Sequence, residues 1–223
     1  QSEHPSLDAK QCTVTPGLVD SHTHVVYAGQ RSGEFAQRSA GRTYAKIAES
    51  GGGILSTVRS TRAASLEDLK AQTRPRLDDM LRRGITTVEA KSGYGLTLTD
   101  ELKLLQAMEE LSEEGPIEII ATFLGAHAVP AEYRDQEKGL EEYLDKVINE
   151  MIPAVADQGI AKFCDIFVEK GFFEVHHARK LFEAASSVDL APKLHVDQLT
   201  SGGGAELAAE MGAISADHLD HAS

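Results

Sequence analysis

Apolar residues along this chain follow two alternating rhythms, short runs and longer stretches with a helical period. Residues 17–27 read as a strand, with Leu18, Val19, Val25 and Val26 flanking polar positions. A mixed region follows. Over 66–83, Leu66, Leu69, Leu77, Met80 and Leu81 recur close to every 3.6 residues, which predicts a helix that Gly84 stops. Residues 86–90 are the next strand. Over 99–114, Leu102, Leu105, Met108 and Leu111 share one helical face, and Gly115-Pro116 ends it. A buried strand is predicted at 117–124, then a helix at 139–157 that Pro153 should kink. The remaining elements are a strand at 162–168, a helix at 174–187, a strand at 193–196, a helix at 204–211 and a last strand at 214–218. In the 174–187 helix, Val175, Ala178, Leu181, Phe182 and Ala185 should face inward.

Strands alternating with helices imply a parallel α/β sheet. An open doubly wound sheet and a TIM-like (β/α)8 barrel both fit the order. Six strands are counted and the chain stops just after the sixth, whereas a barrel needs eight and typically about 250 residues. The pattern therefore predicts one domain over residues 1–223, an incomplete barrel. No internal repeat, low-complexity tract or interdomain linker divides it.

Composition narrows the classes of function. With 41% apolar and 26% charged residues, the 223-residue chain has the make-up of a soluble globular protein. A net charge of −13 argues against a nucleic-acid partner, which needs clustered Lys and Arg. It also means that an anionic substrate would need local positive charge. No apolar run approaches the roughly 18 residues of a membrane span, and residues 1–10 lack the pattern of a signal peptide. The absence of an initiator Met fits a processed or excised piece. Cys12 and Cys164 are far apart, and Cys164 falls in an apolar strand, as a free buried thiol does. A reduced, cytoplasmic protein is the simplest reading.

The strongest chemical signal is Asp20-Ser21-His22-Thr23-His24. Two residues apart on a strand, both imidazoles point to the same face. At the C-terminal end of a first barrel strand that face opens into the mouth of the active site. Two ring nitrogens there can grip one metal ion, although the tripeptide alone reads equally as polar residues at a strand end. Other strand ends add weight. His127 follows the strand at 117–124, His195 ends the one at 193–196, and His218 closes the last beside Asp217. Four strands ending in histidine on one side of a parallel sheet point to a metal hydrolase. His176 and His177 fall on a helix whose apolar face is already supplied, so both are expected to face solvent. His4 and His221 lie near the termini and carry no signal. Gly51-Gly52-Gly53 and Gly202-Gly203-Gly204 each precede a helical segment. They could offer backbone N–H groups to an anion or simply be flexible helix starts. Neither has dinucleotide or P-loop spacing. No nucleophile elbow and no glycosidase-like carboxylate pair is present.

With these residues placed, Pro16-Gly17-Leu18-Val19-Asp20-Ser21-His22-Thr23-His24 resembles the first-strand motif of the amidohydrolase superfamily. His195 and His218 match its fifth- and sixth-strand histidines. Within the superfamily the chain is similar, over nearly its whole length, to the imidazolonepropionase family. His22-Thr23-His24 with Val25-Val26-Tyr27-Ala28-Gly29 and Arg31 carries that similarity, as do Glu49-Ser50-Gly51-Gly52-Gly53-Ile54 and Lys91-Ser92-Gly93-Tyr94-Gly95-Leu96. Gly125-Ala126-His127-Ala128-Val129-Pro130, Lys193-Leu194-His195-Val196-Asp197-Gln198 and Ser215-Ala216-Asp217-His218-Leu219 complete it.

The resemblance implies one Zn or Fe ion, held by His22, His24, His195 and an Asp after the eighth strand, beyond residue 223. His and Asp ligands suit either metal. It implies a small anionic substrate met by Arg31, Tyr94 and His127, and catalytic positions at His218, beside the reacting water, and at Gln198. Some relatives have Glu where Gln198 stands; an amide cannot shuttle a proton, so Gln198 should orient rather than titrate. The implied reaction opens the ring amide of 4-imidazolone-5-propanoate, and the implied assembly is a homodimer. The small β-sandwich of the family is absent, apart from what residues 1–14 could supply. Two other readings remain. One is another cyclic amidohydrolase or an aminohydrolase on the same scaffold, the latter usually with Glu at the position of Gln198. The other is a metal-binding fragment without catalysis.

Overall fold

The structure, a computed structural model, describes residues 7–42 and 52–223. His4, Glu49, Ser50 and Gly51 lie outside the described residues. Six strands form one sheet: β1 Leu18–Thr23, β2 Ile85–Lys91, β3 Glu118–Ala126, β4 Phe163–Val168, β5 Ala191–Val196 and β6 Ser215–His218. Every neighbouring pair is parallel, and the spatial order is the sequence order, β1 to β6. A doubly wound sheet would reverse its order at a switch point; this one does not.

The sheet is also curled. Lys91 on β2 and Asp217 on β6 are four strands apart, about 19 Å in a flat sheet. Their side chains meet at 2.9 Å. The strands thus wrap around a shared interior, as the wall of a barrel does. On their outer sides β1 and β6 have no strand partner among the described residues. Leu18, Val19 and Ile214 stay exposed beside those edges.

Alternation along each strand separates two environments. Val88, Ala90, Cys164, Ile166, Leu194 and Val196 point outward into the apolar core beneath the helices. Glu89, Lys91, Asp165, Lys193 and His195 point inward and are buried. The barrel interior is therefore charged, and the apolar core lies in the layer around it. Helices α1 Ser32–Ser39, α2 Ile54–Ala63, α3 Leu66–Arg82 and α4 Leu98–Glu114 occupy the first half of the chain. From α3 and α4, Leu69, Leu77, Leu104, Leu105 and Met108 reach that core.

Several boundaries differ from those predicted. The first strand is six residues long and ends at Thr23, so His24 already belongs to the loop. The mixed region holds α1 and α2. α1 buries no residue and α2 buries only Thr57, Val58 and Thr61, so neither has a strong apolar stripe to find. The helix at 139–157 is three pieces: Gly139–Lys146, a π-helical turn over Val147–Met151, and Ile152–Gln158. Pro153 sits at the start of the third piece, where its missing N–H costs little. The widened turn before it takes up the predicted kink. Cys164 is free and buried, as its strand position implied.

One buried carboxylate on α4 shapes the rim of the barrel. Glu101 accepts from the backbone N–H groups of Gly93 (2.9 Å), Gly95 (2.8 Å) and Leu96 (2.7 Å). Burial raises its pKa, opposed by these donors and by Ser92. The loop that carries Tyr94 is thereby tied to the helix behind it. Gly93 has φ of +95°, and a Cβ there would lie 2.7 Å from the Leu124 carbonyl oxygen, so no other residue fits. Glu101→Ala would leave three buried donors without their acceptor. The expected loss of stability is about 3–5 kcal/mol, read from the denaturant midpoint.

Candidate metal centre

Four strand ends bring histidines from distant parts of the chain to one place. The His22 ring centroid lies 5.5 Å from that of His24, 4.6 Å from His195 and 5.2 Å from His218. His127 stacks on His24 at 4.9 Å, and Tyr94 lies 5.5 Å from His24 and 5.4 Å from His127. All of these, with Arg31 and Gln198, line one cavity of about 600 Å³ at the C-terminal ends of the strands. Every site residue expected from the sequence thus reaches the same cavity. Arg38, Phe167, Phe172 and Leu199 line it as well and were not singled out beforehand.

The ligating atoms of His22, His24 and His195 lie within 4.8 Å of one another. His24 Nε2 is 3.2 Å from His195 Nε2. Two imidazole nitrogens sharing one tetrahedral ion at 2.0–2.1 Å would stand about 3.3 Å apart. The arrangement fits a metal ion.

Carboxylates back two of the rings. Asp165 Oδ2 is 3.0 Å from His195 Nδ1, and Asp217 Oδ2 is 2.9 Å from His22 Nδ1. Both contacts fall short of a straight hydrogen bond. They leave the far nitrogen, Nε2, of each ring toward the cluster. No described residue hydrogen-bonds the buried Nδ1 of His24. Burial works against a charged Asp165, but His195 and Lys91 more than offset it and hold the carboxyl far below the ordinary range. Asp217 is likewise lowered, against burial, by His22 and Lys91. The histidine values fall as well, which for an imidazole favours the neutral ring. Burial, together with His127, His195 and His22, puts His24 well below its ordinary value. Burial and His195 push His127 down to about 3. His218 is lowered by burial, His195 and His22.

Individual rings are locked by their hydrogen bonds. His127 Nδ1 lies 3.0 Å from the Gly93 carbonyl, which only accepts, so Nδ1 carries the proton and Nε2 is an acceptor. His218 closes β6 with φ of +77°, a left-handed conformation costly for a side-chain-bearing residue. Arg31 precedes α1, and its Nε lies 3.2 Å from Glu34 Oε2. The other oxygen of Glu34 accepts from Gly53 N at 3.0 Å.

Two expectations need correction. His177 does not face solvent: it is buried, its Nδ1 accepts from Glu174 N at 2.9 Å, and its Nε2 donates to Glu141 at 2.9 Å. It caps the helix Val175–Ser186, a role that helical periodicity does not reveal. His176 is exposed as expected. The N–H groups after Gly202-Gly203-Gly204 do meet an anion, but an internal one. Asp197 accepts from Gly202 N (2.7 Å) and Ala205 N (2.9 Å).

None of the protein-family models compared matches the chain. Individual sequences do. The chain is 50% identical over 222 residues to an imidazolonepropionase of Geobacillus sp. (strain WCH70), covering 100% of this chain and 52% of that protein. It is 51% identical over 214 residues to an imidazolonepropionase of Myxococcus xanthus (strain DK1622), covering 96% and 50%. The chain thus spans about half the length of the curated relatives it matches. Among solved structures it is similar to 5-methylcytosine deaminase from Klebsiella pneumoniae liganded with 5-fluorocytosine. That match has a TM-score of 0.63 and 15% identity, covering 95% of this chain and 48% of that one. At such identity the likeness speaks for the fold alone. Over the half of their length that it spans, about every second residue of the chain is identical to that of these imidazolonepropionases.

Proposed function

We propose that the complete protein hydrolyses the ring amide of 4-imidazolone-5-propanoate to N-formimidoyl-L-glutamate, and that residues 1–223 are one partial barrel domain of it. The convergence of His22, His24, His195 and His218 on one cavity carries this reading. The names of the relatives supply the substrate.

His22, His24 and His195 would hold one Zn or Fe ion, with an Asp beyond residue 223 as the fourth ligand. Such an ion supplies Lewis acidity and a water that deprotonates near neutral pH. The chain's own residues do the rest. His218 takes a proton from the attacking water and passes it toward the departing ring nitrogen as the C–N bond breaks. His127, neutral and with Nε2 as an acceptor, suits a ring N–H rather than the anionic tail. Tyr94 packs against it. Gln198 orients the substrate through its amide. Arg31 binds the propionate, supplying local positive charge in a protein of net charge −13. A homodimer and a cytoplasmic setting complete the proposal. No described helix is long and apolar enough to cross a membrane.

Turnover of the imidazolone by the complete protein, with elemental analysis of the same sample, tests the reading. One Zn or Fe per chain and release of N-formimidoyl-L-glutamate are expected. A protein that holds metal and leaves the imidazolone untouched would refute the substrate. Arg31→Ala should mainly raise KM, by about 10–100-fold, because a charge-assisted contact to a carboxylate is worth roughly 1.5–3 kcal/mol. Arg31→Lys should recover little of this, since an ammonium lacks the planar fork. An unchanged KM in both would place the tail elsewhere.

A further inference from the structure

A fully buried lysine lies beneath the histidine cluster. Lys91 Nζ is 2.8 Å from Glu89 Oε1, 2.9 Å from Asp165 Oδ2 and 2.9 Å from Asp217 Oδ2. For both aspartates the oxygen that meets the ammonium is the one that faces a ring, at 3.0 Å from His195 Nδ1 and 2.9 Å from His22 Nδ1. Glu89 has a second lysine, Lys193, at 2.7 Å, and Thr122 donates to it at 2.5 Å. Asp165 and Asp217 have no lysine or arginine besides Lys91 among the described residues. Buried charged side chains are fixed in one geometry by the partners they pair with.

We propose that Lys91 is a positioning residue for the metal centre. Its ammonium, 2.9 Å from each, holds Asp165 and Asp217 in place. Through them it turns His195 and His22 so that Nε2 of each faces the ion. The inference rests on the metal reading of His22, His24 and His195. Without the ammonium, the carboxylates of Asp165 on β4 and Asp217 on β6 would face each other unpaired inside the barrel, and both rings would lose a fixed backing. Loss of such outer partners costs about 10–100-fold in metal affinity.

The test is the metal dissociation constant of the complete protein, measured by chelator competition in wild type and Lys91→Met. Circular dichroism and thermal unfolding are followed on the same samples. A folded Lys91→Met protein with affinity weakened about 10–100-fold is the expected result. A lower Tm with an unchanged constant for the folded protein would make Lys91 merely structural and overturn the proposal. If Lys91→Met does not fold, Asp217→Asn on the edge strand β6 probes the same link. There an affinity about tenfold weaker supports it, and wild-type affinity overturns it. A wild-type protein that binds no metal would refute the metal reading itself, a result distinct from either.

Discussion

Replacing His195 by alanine in the complete protein is expected to remove the metal and the turnover together. His195 ends β5 with 2% of its surface exposed and is the meeting point of the cluster. Its Nε2 lies 3.2 Å from His24 Nε2, and its ring centroid 4.6 Å from that of His22. Among the described residues nothing else buried offers a nitrogen at that point. Alanine would leave two of the three clustered imidazoles, His22 and His24, and an Asp165 that has lost its ring partner. Lewis-acid activation is worth several kcal/mol of transition-state stabilisation, and each 1.36 kcal/mol is a factor of ten. A fall in kcat of about 10³-fold or more is therefore expected, with metal content well below one per chain by elemental analysis. Because Lys91 still neutralises Asp165, the fold should survive, and circular dichroism should stay native. Full metal content in His195→Ala would show that the ion sits elsewhere.

The candidate site was legible because its residues repeat a position rather than a motif. His22, His127, His195 and His218 each stand at or just past a strand end, and a parallel sheet sends all such ends to one side. Strand order followed only once a barrel was preferred to a doubly wound sheet, because in a barrel consecutive strands lie side by side. What the sequence concealed is the support beneath the cluster. Glu89 and Asp165 stand inside apolar strands, where inward-facing charge was the available signal. Neither residue was singled out from the sequence. Lys91 was visible only as part of Lys91-Ser92-Gly93-Tyr94, and nothing local announces that it meets aspartates 74 and 126 residues away. Helices α1 and α2 were missed because they bury little, and periodicity reports only what is buried. Arg38 was missed with them.

His218→Ala is expected to lower kcat by about 10²–10⁴-fold and to leave metal content near one per chain. The ring stands close to the cluster, with its centroid 5.2 Å from both His22 and His195, yet it is not one of the three residues whose ligating atoms gather together. On the proposed reading it stands next to the ion rather than on it. Burial, His195 and His22 hold its pKa below the ordinary 6.5, so the ring is a neutral base at pH 7. Activity should fall only as the pH drops below about 6.5, where the imidazole begins to carry a proton. The backbone adds a second, independent reading. With φ of +77°, His218 occupies a conformation that costs a residue with a side chain roughly 1–2 kcal/mol. Glycine pays none of that cost, so His218→Gly should be at least as stable as the wild type while losing the same 10²–10⁴-fold of activity. Strain kept at a strand end, where it aims one ring at the attacking water, is the pattern expected of a functional residue. Metal loss from His218→Ala would move His218 into the coordination sphere. Wild-type turnover in both variants would leave the strained ring without a catalytic role.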